Sequence, residues 1–229
     1  MEAGDENFDW ETFDEEMEAD LREIEVLEQQ IEEGFEWVDV FVDLEEKLNK
    51  FNSNMESIYQ GIVSLNDKNK PSGAFLNGML LVGIVSAYES FVHDLFDGCC
   101  RKKSYISRAV SNVDKLTEKD RVHLRLKKNN TEEYLAKCLK KATLHDPVQI
   151  ARISLALFDL KMPILRFDHT EKLLEERNVF THHGGYLNGQ PIDMKLGYVL
   201  NVYKVIYQLI NGYIDAIKGH VDLCLGELT

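Results

Sequence analysis

"GMLLVGIVSAYESFVHDLF", residues 78–96, decides how this chain folds. At helical spacing, Leu80, Ile84, Ala87, Phe91 and Leu95 fall on one face, and Val82, Val85, Val92 and Phe96 on another. A helix apolar this far round packs on several neighbours, so it belongs at the centre of a helical bundle. Glu89, His93 and Asp94 interrupt the run. It reads as too short and too polar for a bilayer span, and as a buried core helix over 74–101.

The flanking sequence supplies the neighbours. "NDKNKPSG", 66–73, is a loop by composition. Before it, Leu44, Leu48, Phe51, Met55, Ile58 and Ile62 form one stripe of a helix over 36–65. Leu21, Ile24, Leu27 and Ile31 begin an earlier helix, which Gly34 is expected to break. Residues 1–19 are acidic with scattered aromatics (Phe8, Trp10, Phe13) and cannot bury enough surface by themselves. After the central helix, shorter helices are expected near 104–112, 117–127, 131–143 and 147–159, the last opened by Asp146 and Pro147. Asp168 to Glu171 has capping-box spacing and starts a helix that Gly184 and Gly185 end. "YLNGQP" is a turn-rich connection to a last long helix over 193–222, striped by Val199, Val202, Ile206, Leu209 and Tyr213. No segment reads as a strand. The expected architecture is an all-α antiparallel helical bundle over 36–225, with an acidic N-terminal extension, 1–35, and a basic helical insertion, 98–160.

Charge divides the chain in the same places. The formal net charge is −14. Residues 1–40 hold 17 acids and one base, whereas 98–145 hold 5 acids and 13 bases. Such asymmetry speaks of partners, here a polyanion meeting the basic middle and an acidic head competing for it. Cys99, Cys100, Cys138 and Cys224 are few and irregularly spaced, with no C-x-x-C pair, so free thiols in a reducing cytoplasm are expected. The acidic N-terminus is unlike a secretory signal or transit peptide.

The chemistry concentrates in "EERNVFTHHGG", 175–185. Asn178 and His182 are four apart and share a helix face. Arg177 lies about 140° round from His182 on a regular helix, so the two converge only if the last turn unwinds toward Gly184. An Arg beside a titratable His suits a phosphodiester: Arg forks onto phosphate oxygens and His moves a proton near neutral pH. Glu89 sits among Val82, Val85, Val92 and Phe96 in helical projection, and a carboxylate there needs a partner. It is expected to face Arg177 or His182 and orient them.

"RNVFTHHGG" resembles the R-N-x-x-x-H motif of HEPN domains, in the manner of the RiboL-PSP-like bacterial branch, and "AYESF" resembles the aromatic-Glu run of their second helix. The resemblance covers roughly 36–222 and includes the helix order; the acidic head and basic insertion are outside it. It implies a metal-independent endoribonuclease, a toxin or antiviral defence effector, whose composite site forms where two copies meet in a homodimer. It further implies that Arg177 stabilises a phosphorane-like transition state and that Asn178 positions Arg177 or the phosphate. His182 would move the proton of the ribose 2′-hydroxyl or of the leaving 5′-oxygen. His183 and Thr181 would be supporting groups. RNA brings its own nucleophile, so no cofactor or metal is implied, and cleavage would leave a 2′,3′-cyclic phosphate.

Other chemistries lack their motifs. There is no G-x-S-x-G, no phosphate-cradling G-x-x-x-x-G-K-[ST], and no H-E-x-x-H or H-x-x-x-H. Arg121, Arg125, Lys127 and Lys128, with Lys137, Lys140 and Lys141, are expected to track an RNA backbone without reading sequence. The expected partners are RNA, a second copy of the chain and an antitoxin or regulatory protein, with no membrane. The alternative is a non-catalytic HEPN-type RNA-binding or dimerisation module.

Overall fold

A computed structural model describes residues 10–66, 73–144, 146–164 and 170–226. Among these the chain is predominantly helical. Its helices are α1 (Trp10–Leu65), α2 (Ala74–Arg101), α3 (Lys103–Ser111), α4 (Glu118–His123), α5 (Glu132–Lys141), α6 (Pro147–Phe158), α7 (Thr170–His183) and α8 (Leu196–Gly226). A 3-10 turn, Val113–Lys115, joins α3 to α4.

The apolar stretch forms α2, and α1, α3, α5, α7 and α8 all pack on it. Gly98 of α2 lies against Val40 of α1 and Gly83 against Ile58, so these two helices run antiparallel. Trp37 meets His220 and Tyr59 meets Tyr203, so α1 and α8 are antiparallel as well. Buried bonds then tie α2 alongside α8. The Asn77 side-chain amide donates to the Met194 carbonyl at 2.7 Å, and the Tyr88 and Tyr213 hydroxyls lie 3.2 Å apart. By length and composition α2 would pass for a membrane span, with 28 residues and a mean hydropathy of 1.5 in its most apolar window. The expectation that it is too short and too polar is therefore wrong; what marks it as a core helix is that half of that window is buried against neighbouring helices.

Two expectations about the N-terminal half need correction. Gly34 does not end a helix, since α1 runs unbroken for 56 residues. One Gly costs a helix about 1 kcal/mol, little beside the packing of buried Trp37, Val40 and Leu44 just after it. The extension 1–35 is thus continuous with the bundle from Trp10 onward. Among the described residues the acidic segment meets the basic insertion at its base: Glu33 pairs with Arg108, Glu36 accepts from Ser104, and Lys102 reaches Asp39 at 3.2 Å. Residues 14–32 are exposed.

The insertion shares the one hydrophobic core, through Tyr105, Leu135, Leu139 and Ile150. Its centre is the Asp120 carboxylate, 1 % exposed, which Arg152 grips through Nε at 3.1 Å and Nη2 at 2.9 Å. Burial pushes this carboxyl up, but the bonds from Arg152, Thr117 and Gln149 prevail and hold it at about 2.

A small hairpin was also unforeseen. β1 (Tyr186–Leu187) pairs antiparallel with β2 (Gln190–Pro191) across Asn188 and Gly189. Both turn residues have positive φ, 51° and 78°, the arrangement of a two-residue type I′ turn. The Asn-Gly pair was the signal for it.

Candidate functional site

Helix α7 carries the motif, and its inner face explains its placement. Leu173, Glu176, Val179 and Phe180 are buried. The Phe180 ring occupies the space that a side chain at Gly78 of α2 would take, 2.1 Å from the position of a Cβ there. Gly185 meets the same ring, with 2.7 Å to a Cβ position. Both glycines after the helix adopt left-handed φ, 61° and 88°, and the Gly185 N–H returns to the Val179 carbonyl at 3.2 Å. Absence of side chains thus locks α7 onto α2. The predicted cap at Asp168 lies outside the described residues, as does His169.

Across that contact, Arg177 Nη2 donates to Glu89 Oε2 at 2.9 Å. Arg177 Nη1 donates to Asn178 Oδ1, also at 2.9 Å. The Arg177 and Glu89 side chains are 22 % and 16 % exposed. The pair is half-desolvated, where its attraction is stronger than at an open surface. A guanidinium has five N–H groups, so each terminal nitrogen keeps a second one to offer a ligand.

His182 and His183 occupy the exposed last turn, and Thr181 spends its hydroxyl on the Arg177 carbonyl at 2.8 Å. The helix does not unwind before His183. Arg177 and His182 therefore leave its axis about 140° apart. The backbone by itself thus does not direct all three motif residues to one point at the glycine stop. Asn178 is the link: it holds the guanidinium and precedes His182 by one turn.

Sequence reasoning missed Glu176. It is buried beneath the motif; burial first, and then the Glu176 charge and hydrogen bond, push the Tyr198 hydroxyl of α8 above the usual range. The signal was its spacing, three from Leu173 and four from Phe180.

The four basic residues proposed to contact RNA do not form one surface of free cations. Arg121 is paired with Asp114 and Glu118, both at 3.3 Å. Lys127 lies over the Tyr134 ring, 4.6 Å from its centre. Arg125 and Lys128 are exposed. Among the described residues no three His, Cys, Asp or Glu side chains come together as a metal-binding group.

No protein-family model, curated protein or solved structure matches the chain.

Proposed function

We propose that the chain is a metal-independent endoribonuclease of the HEPN type, working as a homodimer in the setting its resemblance implies, a cytoplasmic toxin or defence effector. One observation carries the reading: Glu89, the only acid on the apolar run before His93, is committed to Arg177 of the R-N-x-x-x-H motif. A half-buried acid that orients a half-buried Arg fits a phosphate-stabilising role better than an idle helix end.

In this reading the ribose 2′-oxygen attacks phosphorus while the bond to the 5′-oxygen breaks. The free N–H groups of Arg177 meet the charge gathering on the phosphoryl oxygens. The 2′-hydroxyl loses a proton and the leaving 5′-oxygen gains one, with His182 as the group that moves it. The 140° separation on one helix is met by a second copy, whose motif would complete the site. Apolar side chains are available for that meeting. Phe75, Leu76 and Met79 flank Gly78, Tyr186 and Leu187 follow Gly185, and all five are exposed around the Phe180 contact.

The regular course of α7 to His183 also favours the second reading, a non-catalytic RNA-binding or dimerisation module. End-group analysis separates the two. With chelator present, the protein should cut single-stranded RNA into fragments ending in 2′,3′-cyclic phosphate. A 2′-deoxy substitution at the cut position should block the cut. Products with a 3′-hydroxyl, or cutting that chelator abolishes, would refute the mechanism; intact RNA under all conditions would favour the module.

A further inference from the structure

Between α4 and α5 lies a pocket of about 190 Å³, lined by His123, Arg125, Tyr134, Lys137, Cys138 and Lys141 above a floor of Leu124 and Ala142. Among the described residues no carboxylate lines it, although the chain carries 40 acids against 26 bases. Arg125, Lys137 and Lys141 have no ion-pair partner among the described residues. Three cationic side chains bordering one concavity with no lining carboxylate make its mouth electropositive, a setting that favours a bound anion.

The backbone here is built for presentation. Arg125 has φ 56°, a left-handed conformation that a long L side chain rarely adopts. Neighbours fix it there from several directions. Its N–H donates to the Val122 carbonyl at 3.0 Å, and its carbonyl accepts from the Tyr134 hydroxyl at 3.0 Å. The next residue, Leu126, bonds back to the Arg121 carbonyl at 2.9 Å. Strain of this kind persists only where the surroundings over-determine it, and it collects at ligand sites. The His123 ring is fixed as well, its Nε2 donating to the Thr143 carbonyl at 3.0 Å. Lys127 covers the Tyr134 ring from outside, which leaves the hydroxyl side of Tyr134 toward Arg125.

We propose that this pocket binds a phosphate group borne by a nucleotide, held by Arg125, Lys137 and Lys141. The volume is below the several hundred Å³ of pockets that enclose a whole drug-sized ligand, so it suits a phosphate and part of its sugar. The phosphate comes from the end of an RNA strand or from a free nucleotide. None of the Arg177 site residues lines it: its walls come from α4, α5 and the residues that follow each, whereas Arg177 lies on α7 and pairs with Glu89 of α2.

Cys138 in the pocket wall reports occupancy. Its alkylation by iodoacetamide can be followed at its own peptide by mass spectrometry. Cys99 is buried, and burial pushes the Cys100 thiol up to about 12, so both react slowly. The probes are a 5′-phosphorylated oligoribonucleotide, ATP and adenosine, each titrated calorimetrically and in the alkylation assay, on the full chain carrying Arg177→Ala so that no cleavage intervenes. At least one phosphate-bearing probe should bind and slow alkylation several-fold, and adenosine should do neither. Protection by the oligonucleotide alone identifies a strand end; protection by ATP identifies a free nucleotide. Lys137→Ala with Lys141→Ala, both exposed side chains, should weaken binding by about tenfold or more. No binding by either phosphate probe, equal binding by adenosine, or binding unchanged in the double variant would overturn the proposal.

Discussion

Glu89 sets the behaviour of the motif at the scale of single residues. It reaches Arg177 from α2 and fixes a side chain with many rotamers into one position, 2.9 Å away. Glu89→Gln keeps the volume and removes the charge. Under the endoribonuclease reading it should lower single-turnover cleavage by about 10–100-fold through misplacement of Arg177. RNA affinity should change far less, and the far-UV circular dichroism should match the parent. Cleavage at the parent rate would remove Glu89 from the site. Arg177→Lys should not restore function, since an ammonium cannot bridge Glu89 and Asn178 while offering a fork to phosphate.

At the scale of elements, α1 divides in two. Its second half packs on α2 and α8, and residues 14–32 present acids together with exposed Met17, Leu21, Ile24, Val26, Leu27 and Ile31. Since those residues bury little in the monomer, deletion of 1–32 should shift the melting temperature only slightly. A fall of more than about 5 °C, equivalent to roughly 2 kcal/mol for a domain of this size, would show packing by the head. The element order was legible because helical stripes such as Leu44 to Ile62 repeat over many residues. What was not legible depended on opposing terms of similar size. Gly34 reads as a breaker, yet the tertiary packing that follows it, from Trp37 on, outweighs its local preference. The Asn188-Gly189 hairpin is two residues a side, too short to show alternation. The site was half legible: spacing placed Glu89 on an apolar face where a carboxylate needs a partner, but no sequence pattern could tell that Arg177, 88 positions later, was that partner.

For the whole molecule, the central question is whether one chain suffices. Arg177 and His182 project from opposite sides of a regular α7, and exposed Phe75, Leu76, Met79, Tyr186 and Leu187 lie around the end where α7 meets α2. A homodimer through that end accounts for both. Sedimentation should give twice the chain mass of 26.4 kDa, and Leu76→Lys with Met79→Lys should return the monomer and abolish cleavage together. A parent chain that is monomeric and yet cleaves RNA would refute the composite site.

The most direct test is RNA cleavage in chelator by the parent chain, Arg177→Ala and His182→Ala, all confirmed folded. The account predicts cleavage by the parent and a loss of at least about 100-fold in each variant, as expected when a charge-stabilising or proton-moving group is removed. Cleavage that survives both substitutions would contradict it.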